Sequence, residues 1–206
     1  MEIYLVRHAA FAAEPVTLRR DPPLSELGRS QAAALAERLA SVRFDRCLVS
    51  PLARAQETAR ALLAGRALEL ETHACLAEGE FGALDGLARD EARARYPEYF
   101  RLGHTVLARL AATGRTAPGG ETREAFISRA GAAHALLRGP LFAPSARALV
   151  VSHGGLLQYL LALLLGHEPR DQAAYGFDTC GVVRVEAYRE EPGYGPFAAL
   201  RFGAPP

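Results

Sequence analysis

Two histidines stand where apolar runs stop. Ile3-Tyr4-Leu5-Val6 leads into Arg7-His8, and Ala148-Leu149-Val150-Val151-Ser152 leads into His153-Gly154-Gly155. A neutral imidazole is a competent nucleophile and proton carrier near pH 7, and a guanidinium beside it supplies permanent positive charge. A third apolar run, Cys47-Leu48-Val49, ends at Ser50-Pro51 and is followed by Arg54. Carboxylates for acid–base work lie together at Glu78-Gly79-Glu80, in a glycine-punctuated stretch that continues to Asp85-Gly86.

These groups can act together only if the fold delivers them to one place. Runs rich in Val, Ile and Leu read as short buried strands. In an open α/β sheet, ligands collect outside the carboxyl ends of the strands, where both histidines would emerge. The intervening patterns are helical. Ser25 can cap a helix to about residue 39, with Leu27, Gln31, Leu35 and Leu39 spaced along one side. Pro51 opens another helix that carries Arg54 in its first turn and stops at Gly65. Residues 68–72 alternate as a strand. Helices are expected at about 88–96, 98–112 and 122–137, the last closed by Gly139. A final hairpin is expected from residues 182–188 and 197–202, and its edge could serve a homodimer. The expected architecture is α/β: a mostly parallel open sheet with helices on both faces, in a single domain over residues 1–206. Residues 77–139 would form a helical excursion over the active edge.

Composition narrows the function classes. The chain of 206 residues is 50% hydrophobic, enough for one sizeable core, and its formal charge of +1 is dispersed. No basic stripe of the kind that nucleic acid or a membrane surface requires is present, so neither is an expected partner. The sequence has no lysine, which excludes a Walker phosphate loop and Schiff-base chemistry on lysine. Cys47, Cys75 and Cys180 are odd in number and form no CxxC pair, so neither a disulfide framework nor a zinc site is expected. His73-x-Cys75 lacks further spaced metal ligands. A reducing cytoplasm fits this cysteine usage, and the first strand is not preceded by an export signal. The apolar segment 156–165 is too short to span a bilayer.

Taken together, the motifs resemble those of the histidine phosphatase superfamily, also called phosphoglycerate-mutase-like. The matching stretches are Leu5-Val6-Arg7-His8; Leu24-Ser25-Glu26-Leu27-Gly28-Arg29 with Gln31-Ala32; Ser50-Pro51-Leu52-Ala53-Arg54-Ala55 with Thr58-Ala59; Leu76-Ala77-Glu78 with Phe81-Gly82; Gly119-Gly120-Glu121; and Ser152-His153-Gly154-Gly155. Each is weak alone, but the six occur in the family's order. The resemblance implies a phosphomonoester hydrolase in which His8 attacks phosphorus and becomes phosphohistidine. Arg7, Arg54, His153 and Gly154 would bind the phosphoryl group, with His153 also stabilising charge during transfer. Glu78 would be the general acid and base, with Glu80 as its rival two residues away. No metal and no cofactor enter this scheme.

The match departs at Ala9, Ala10 and Phe11, where the family has glycine and small hydroxyl residues, and at Glu14, near an asparagine position. Alanine is tolerable there if its backbone has negative φ. Glu14 should point away from a phosphate, with Arg19 or Arg20 contributing instead, and Phe11 suggests an apolar rim. The remaining histidines, His73, His104, His134 and His167, read as structural or exposed, although His104 and Arg101 lie where substrate could reach them. Two alternatives stay open: a phosphomutase of the same family, and a catalytically silent phosphate-binding module. Sugar phosphates, nucleotide-pathway phosphates, a cobalamin-pathway ribazole phosphate and phosphoproteins are all compatible small-molecule or protein phosphomonoesters.

Overall fold

Alternation along the strands sends side chains to two separate cores. In β1 (Glu2–Arg7), Ile3 and Leu5 join one buried cluster while Tyr4 and Val6 join another. β2 (Arg46–Val49) splits in the same way, Leu48 against Cys47 and Val49, and so does β4 (Arg147–Ser152), with Ala148 and Val150 against Leu149 and Val151. Strands buried on both faces must be covered on both faces by helices. The computed structural model describes residues 1–11, 21–101, 106–138, 146–167, 176–187 and 198–201.

One face is covered by α1 (Glu26–Arg38) and α2 (Ala53–Leu62), through Leu35, Ala55, Ala59 and Leu62. The segment that follows β3 (Leu70–Thr72) holds α3 (Arg89–Arg95), α4 (Pro97–Arg101) and α5 (Val106–Thr113). Residues 102–105, inside the helix expected at 98–112, lie outside the described residues. The other face is covered by α5, α6 (Arg123–Arg138) and α7 (Gly154–Leu164); Phe126, Leu137, Leu156 and Leu160 are fully buried there.

The sheet runs β3-β2-β4-β1-β5-β6, where β5 is Val182–Ala187 and β6 is Ala198–Arg201. The first four strands are parallel, and the terminal hairpin joins them antiparallel through β5. This is the architecture the sequence predicts. Register matters most at one end, because Arg7 pairs with Ser152 and Val49 with Val151. His8, Ser50 and His153 therefore leave three adjacent strands at one level.

One expected detail is corrected. The buried line of α1 runs through Gly28, Ala32 and Leu35, and Leu27 is 63% exposed. Gly28 sets the rotation: a Cβ there would stand 1.8 Å from the Ala10 carbonyl oxygen, so only glycine lets the helix approach that loop. Ser25 caps the helix as expected, accepting the Gly28 amide. Gly65 adopts φ +77° just past α2, as a helix-stopping glycine should.

Candidate active site

His8 follows β1 and keeps 3% of its surface exposed. Its Nδ1 lies 2.8 Å from the Ala9 carbonyl oxygen, to which it donates, so Nε2 keeps its lone pair. Burial, then the nearby Arg54 and Arg7 guanidinium groups, push the imidazole down to about 3, against which the Ala9 hydrogen bond works only partly. The ring is therefore held neutral, with its lone pair at Nε2.

The other three expected phosphate-binding side chains are close by. The His153 ring centre is 5.0 Å from that of His8. Burial, followed by Arg54 and His8, holds His153 well below the ordinary histidine range, so it too is neutral. Arg54 starts α2 in a buried position, and its guanidinium lies 5.7 Å over the Phe11 ring, which in turn is 5.6 Å from His8. Arg7 donates from Nη1 to the Phe177 carbonyl oxygen, and its Nε has no hydrogen-bond partner among the described residues. Gly154 lies against that arginine: a Cβ there would meet Arg7 Nε at 3.4 Å, an ordinary contact. Two guanidinium groups and two uncharged imidazoles make a site for a compact, multiply charged anion.

Glu78 joins them through α7. Its Oε2 accepts the Gly155 amide at 3.1 Å and its Oε1 accepts the Gly79 amide at 3.1 Å, which places the carboxylate in the first turn of the helix that His153 caps. A Cβ at Gly155 would stand 2.8 Å from Glu78 Oε1 and 2.9 Å from Val106 Cβ. The backbone before Glu78 is fixed by donors from elsewhere: Ser152 Oγ to the Leu76 carbonyl, and Arg129 Nη1 to the carbonyls of Cys75 and Ala77. Glu121 holds Arg129 by accepting from Nε and Nη2. Glu80 is exposed, and its carbonyl accepts from Thr116 Oγ1, so its position differs sharply from that of Glu78.

The spacing of the other motifs has a common physical cause. Thr58 Oγ1 accepts the Ala9 amide and donates to the Arg54 carbonyl, tying the loop after His8 to the helix that carries Arg54. Gln31 Oε1 accepts the Ala10 amide, and Ser25 donates to the Ala10 carbonyl through both its amide and its hydroxyl. Ala9 has negative φ, as required of alanine in a glycine position, since Cys180 is the one non-glycine residue with positive φ among those described. Glu14, Arg19, Arg20 and His104 lie outside the described residues.

The other histidines fall away from this cluster. His73 faces Glu71 at 3.9 Å on the edge strand, His134 is half-buried on α6, and His167 is exposed past α7. Arg101 is exposed at the end of α4. Among the described residues no group of three or more His, Cys, Asp or Glu could hold a metal ion, and no helix is long and apolar enough to cross a membrane. Three neighbours escaped the sequence reading. Asp21 accepts the Ala53 amide and pairs with Arg54 Nη1 at 3.6 Å. Arg129 gave no local signal, because the carbonyls it fixes, those of Cys75 and Ala77, are in a distant loop. Ser50, read as punctuation before a helix, bonds His153.

Comparison with known proteins fits this geometry. The sequence pattern of the histidine phosphatase superfamily (branch 1) matches residues 3–194. A Yersinia pestis (strain Pestoides F) protein named "Probable phosphoglycerate mutase GpmB" is 29% identical over 198 residues, covering 93% of this chain and 87% of its own. The crystal structure of the alpha-ribazole phosphatase from Shigella flexneri is similar with a TM-score of 0.80 at 25% identity, covering 100% of this chain and 96% of its own. Mycobacterial glucosyl-3-phosphoglycerate phosphatase gives a TM-score of 0.73 at 26% identity, with 98% of each chain covered.

Proposed function

The chain belongs to the histidine phosphatase superfamily, and from that premise we propose that it is a phosphomonoester hydrolase working through phospho-His8. The observation that carries this reading is the state of His8: neutral, bonded at Nδ1 to the Ala9 carbonyl, and set beside Arg7, Arg54 and His153 with Nε2 left to attack.

In the first step Nε2 of His8 bonds to phosphorus as the ester P–O bond breaks, and Glu78 gives its proton to the departing alkoxide. In the second, Glu78 takes a proton from water, the hydroxide bonds to phosphorus, and the P–N bond breaks to release phosphate. Glu78 ends protonated and His8 neutral, so the cycle closes. Splitting one hard hydrolysis into two easier displacements is the benefit of a covalent intermediate. Arg7, Arg54 and His153 offset charge on the equatorial oxygens; monoester hydrolysis is so slow unaided that accelerations up to about 10²¹ are needed. Glu78 is preferred to Glu80 because its carboxylate shares the first turn of α7 with His153, whereas Glu80 is exposed. No step calls for a metal.

The substrate is a small-molecule phosphomonoester, with neither nucleic acid nor membrane as partner. A cytoplasmic setting fits the free thiols of Cys47, Cys75 and Cys180. The alternative of a phosphomutase is favoured by the Yersinia relative's name, and that of a hydrolase by the names of both structural neighbours. The test is a panel of phosphomonoesters with chelator present throughout, using wild type, His8→Ala and Glu78→Gln. Phosphate release that His8→Ala abolishes supports the proposal. Isomerisation after priming with a bisphosphate, in place of phosphate release, would move the assignment to a mutase. No turnover of any ester by wild type would leave a silent binding module.

A further inference from the structure

His153 is held by a group that the scheme above does not use. Ser50 directly follows β2 with no exposed surface, and its Oγ lies 2.7 Å from His153 Nε2. The same oxygen accepts the Leu52 amide at 3.2 Å. A hydroxyl has one proton to give, and with an N–H already directed at its oxygen the favourable use of that proton is toward an unprotonated nitrogen. If Nε2 carried the proton instead, Ser50 Oγ would accept twice and its own proton would have no acceptor in a fully buried place, which is costly.

The far side of the ring is the informative one. His153 Nδ1 is buried and has no hydrogen-bond partner among the described residues. Buried polar atoms without partners are rare and call for an explanation, and here the ring that carries one lies 5.0 Å from the proposed nucleophile. We propose that Ser50 is a positioning residue: its hydroxyl donates to His153 Nε2, fixes the neutral imidazole as the Nδ1–H tautomer, and so keeps an unspent hydrogen-bond donor for the phosphoryl oxygens next to His8. This rests on the phosphohydrolase reading of the site.

The arrangement resolves an electrostatic problem. His153 is faced by Arg7 and His8 from β1, Arg54 from α2 and Arg129 from α6, with the Glu78 carboxylate bonded two residues along at Gly155. A fourth cation beside these three arginines would be disfavoured while the site is empty, so a donor without charge is what the ring can offer. Its hydrogen bond is unmade at rest and made when the phosphoryl group arrives, so it can favour the transferring state over the free enzyme.

The tautomer is open to measurement without substrate, by nitrogen NMR of the full-length protein labelled at histidine, with the His153 signals assigned by their loss in His153→Gln. The expected spectrum has Nδ1 protonated and Nε2 bare, unchanged between about pH 5 and pH 8. In Ser50→Ala the preference should be lost and kcat should fall about tenfold or more with a smaller change in KM, and Ser50→Thr should restore both. A wild-type ring protonated at Nε2, or a doubly protonated ring, overturns the proposal, as does a Ser50→Ala protein that keeps both tautomer and kcat. Should Ser50→Ala not fold, the wild-type spectrum and Ser50→Thr kinetics still decide. A bare Nε2 together with no phosphoenzyme on His8 would instead sink the phosphohydrolase reading while leaving the tautomer assignment standing.

Discussion

The phosphate-facing groups of the site and its carboxylate come from different kinds of backbone. Arg7, His8 and His153 stand at the ends of adjacent parallel strands, and Arg54 starts a helix directly after a third, all within a sheet buried on both faces. Glu78 sits between two single-turn 3₁₀ helices, Ala74–Leu76 and Gly82–Leu84, and is held by donors from Ser152, Arg129, Gly79 and Gly155. The strand-end groups would meet the phosphoryl group, which every phosphomonoester shares. The loop group would meet the leaving alcohol, which differs from substrate to substrate. Substitutions on the two sides should therefore have kinetic signatures that differ in kind.

The largest expected effect is on the acid side and depends on the leaving group. Glu78→Gln should lower kcat/KM, which reports phosphoryl transfer to the enzyme, by about 10²–10⁴ for an alkyl phosphate, the usual contribution of a general acid, but far less for p-nitrophenyl phosphate, whose phenolate leaves without help. Equal losses on both esters would break the contrast. Arg54→Met should cost about 10²–10³ in kcat/KM, by nearly the same factor for both esters, because it removes charge stabilisation that any leaving group needs. Loss confined to one ester would argue that Arg54 reads the alcohol.

A smaller change separates position from chemistry. Gly155→Ala puts a methyl group where Glu78 Oε1 and Val106 now lie, so it should lower kcat/KM about tenfold for the alkyl ester with the same leaving-group dependence as Glu78→Gln. Steady-state kinetics on the two esters measure this directly, and a uniform loss would assign the effect to the strand-end groups instead.

The smallest effect concerns stability. An unfolded histidine titrates near 6.5, whereas folded His8 is pushed down to about 3. Between those values the unfolded chain binds a proton that the native chain does not, so the stabilisation is complete above about pH 6.5 and is lost as pH falls toward about 3. The slope is at most about 1.4 kcal/mol per pH unit for one such group. His8→Gln should flatten the dependence of the urea midpoint on pH over that window, and an unchanged slope would show that His8 is not kept neutral by the fold.

The same contrast explains what could be read from the sequence. Strand runs ending in Arg7-His8 and Ser152-His153, and a helix opening at Pro51 ahead of Arg54, are local patterns, and the parallel sheet then brings the side chains together. Glu78 was also legible, because it lies inside a motif. What holds Glu78 was not: Arg129 is a surface-like arginine by spacing, and only the fold turns it toward the carbonyls of Cys75 and Ala77. Leu27 misled for a related reason. Helical spacing alone favoured it as a buried position, but the contact of Gly28 with the Ala10 carbonyl rotates α1 and leaves Leu27 exposed.

The central claim, that His8 Nε2 takes the phosphoryl group, is tested most directly by trapping it. Glu78→Gln protein mixed with p-nitrophenyl phosphate should be phosphorylated quickly and lose the group slowly, since the phenolate departs unaided while water lacks its base. Rapid quenching under alkaline conditions followed by peptide mass spectrometry should find one acid-labile phosphoryl group on the peptide that contains His8. Phosphate on any other residue, or turnover with no phosphorylated peptide in either wild type or Glu78→Gln, would contradict the account.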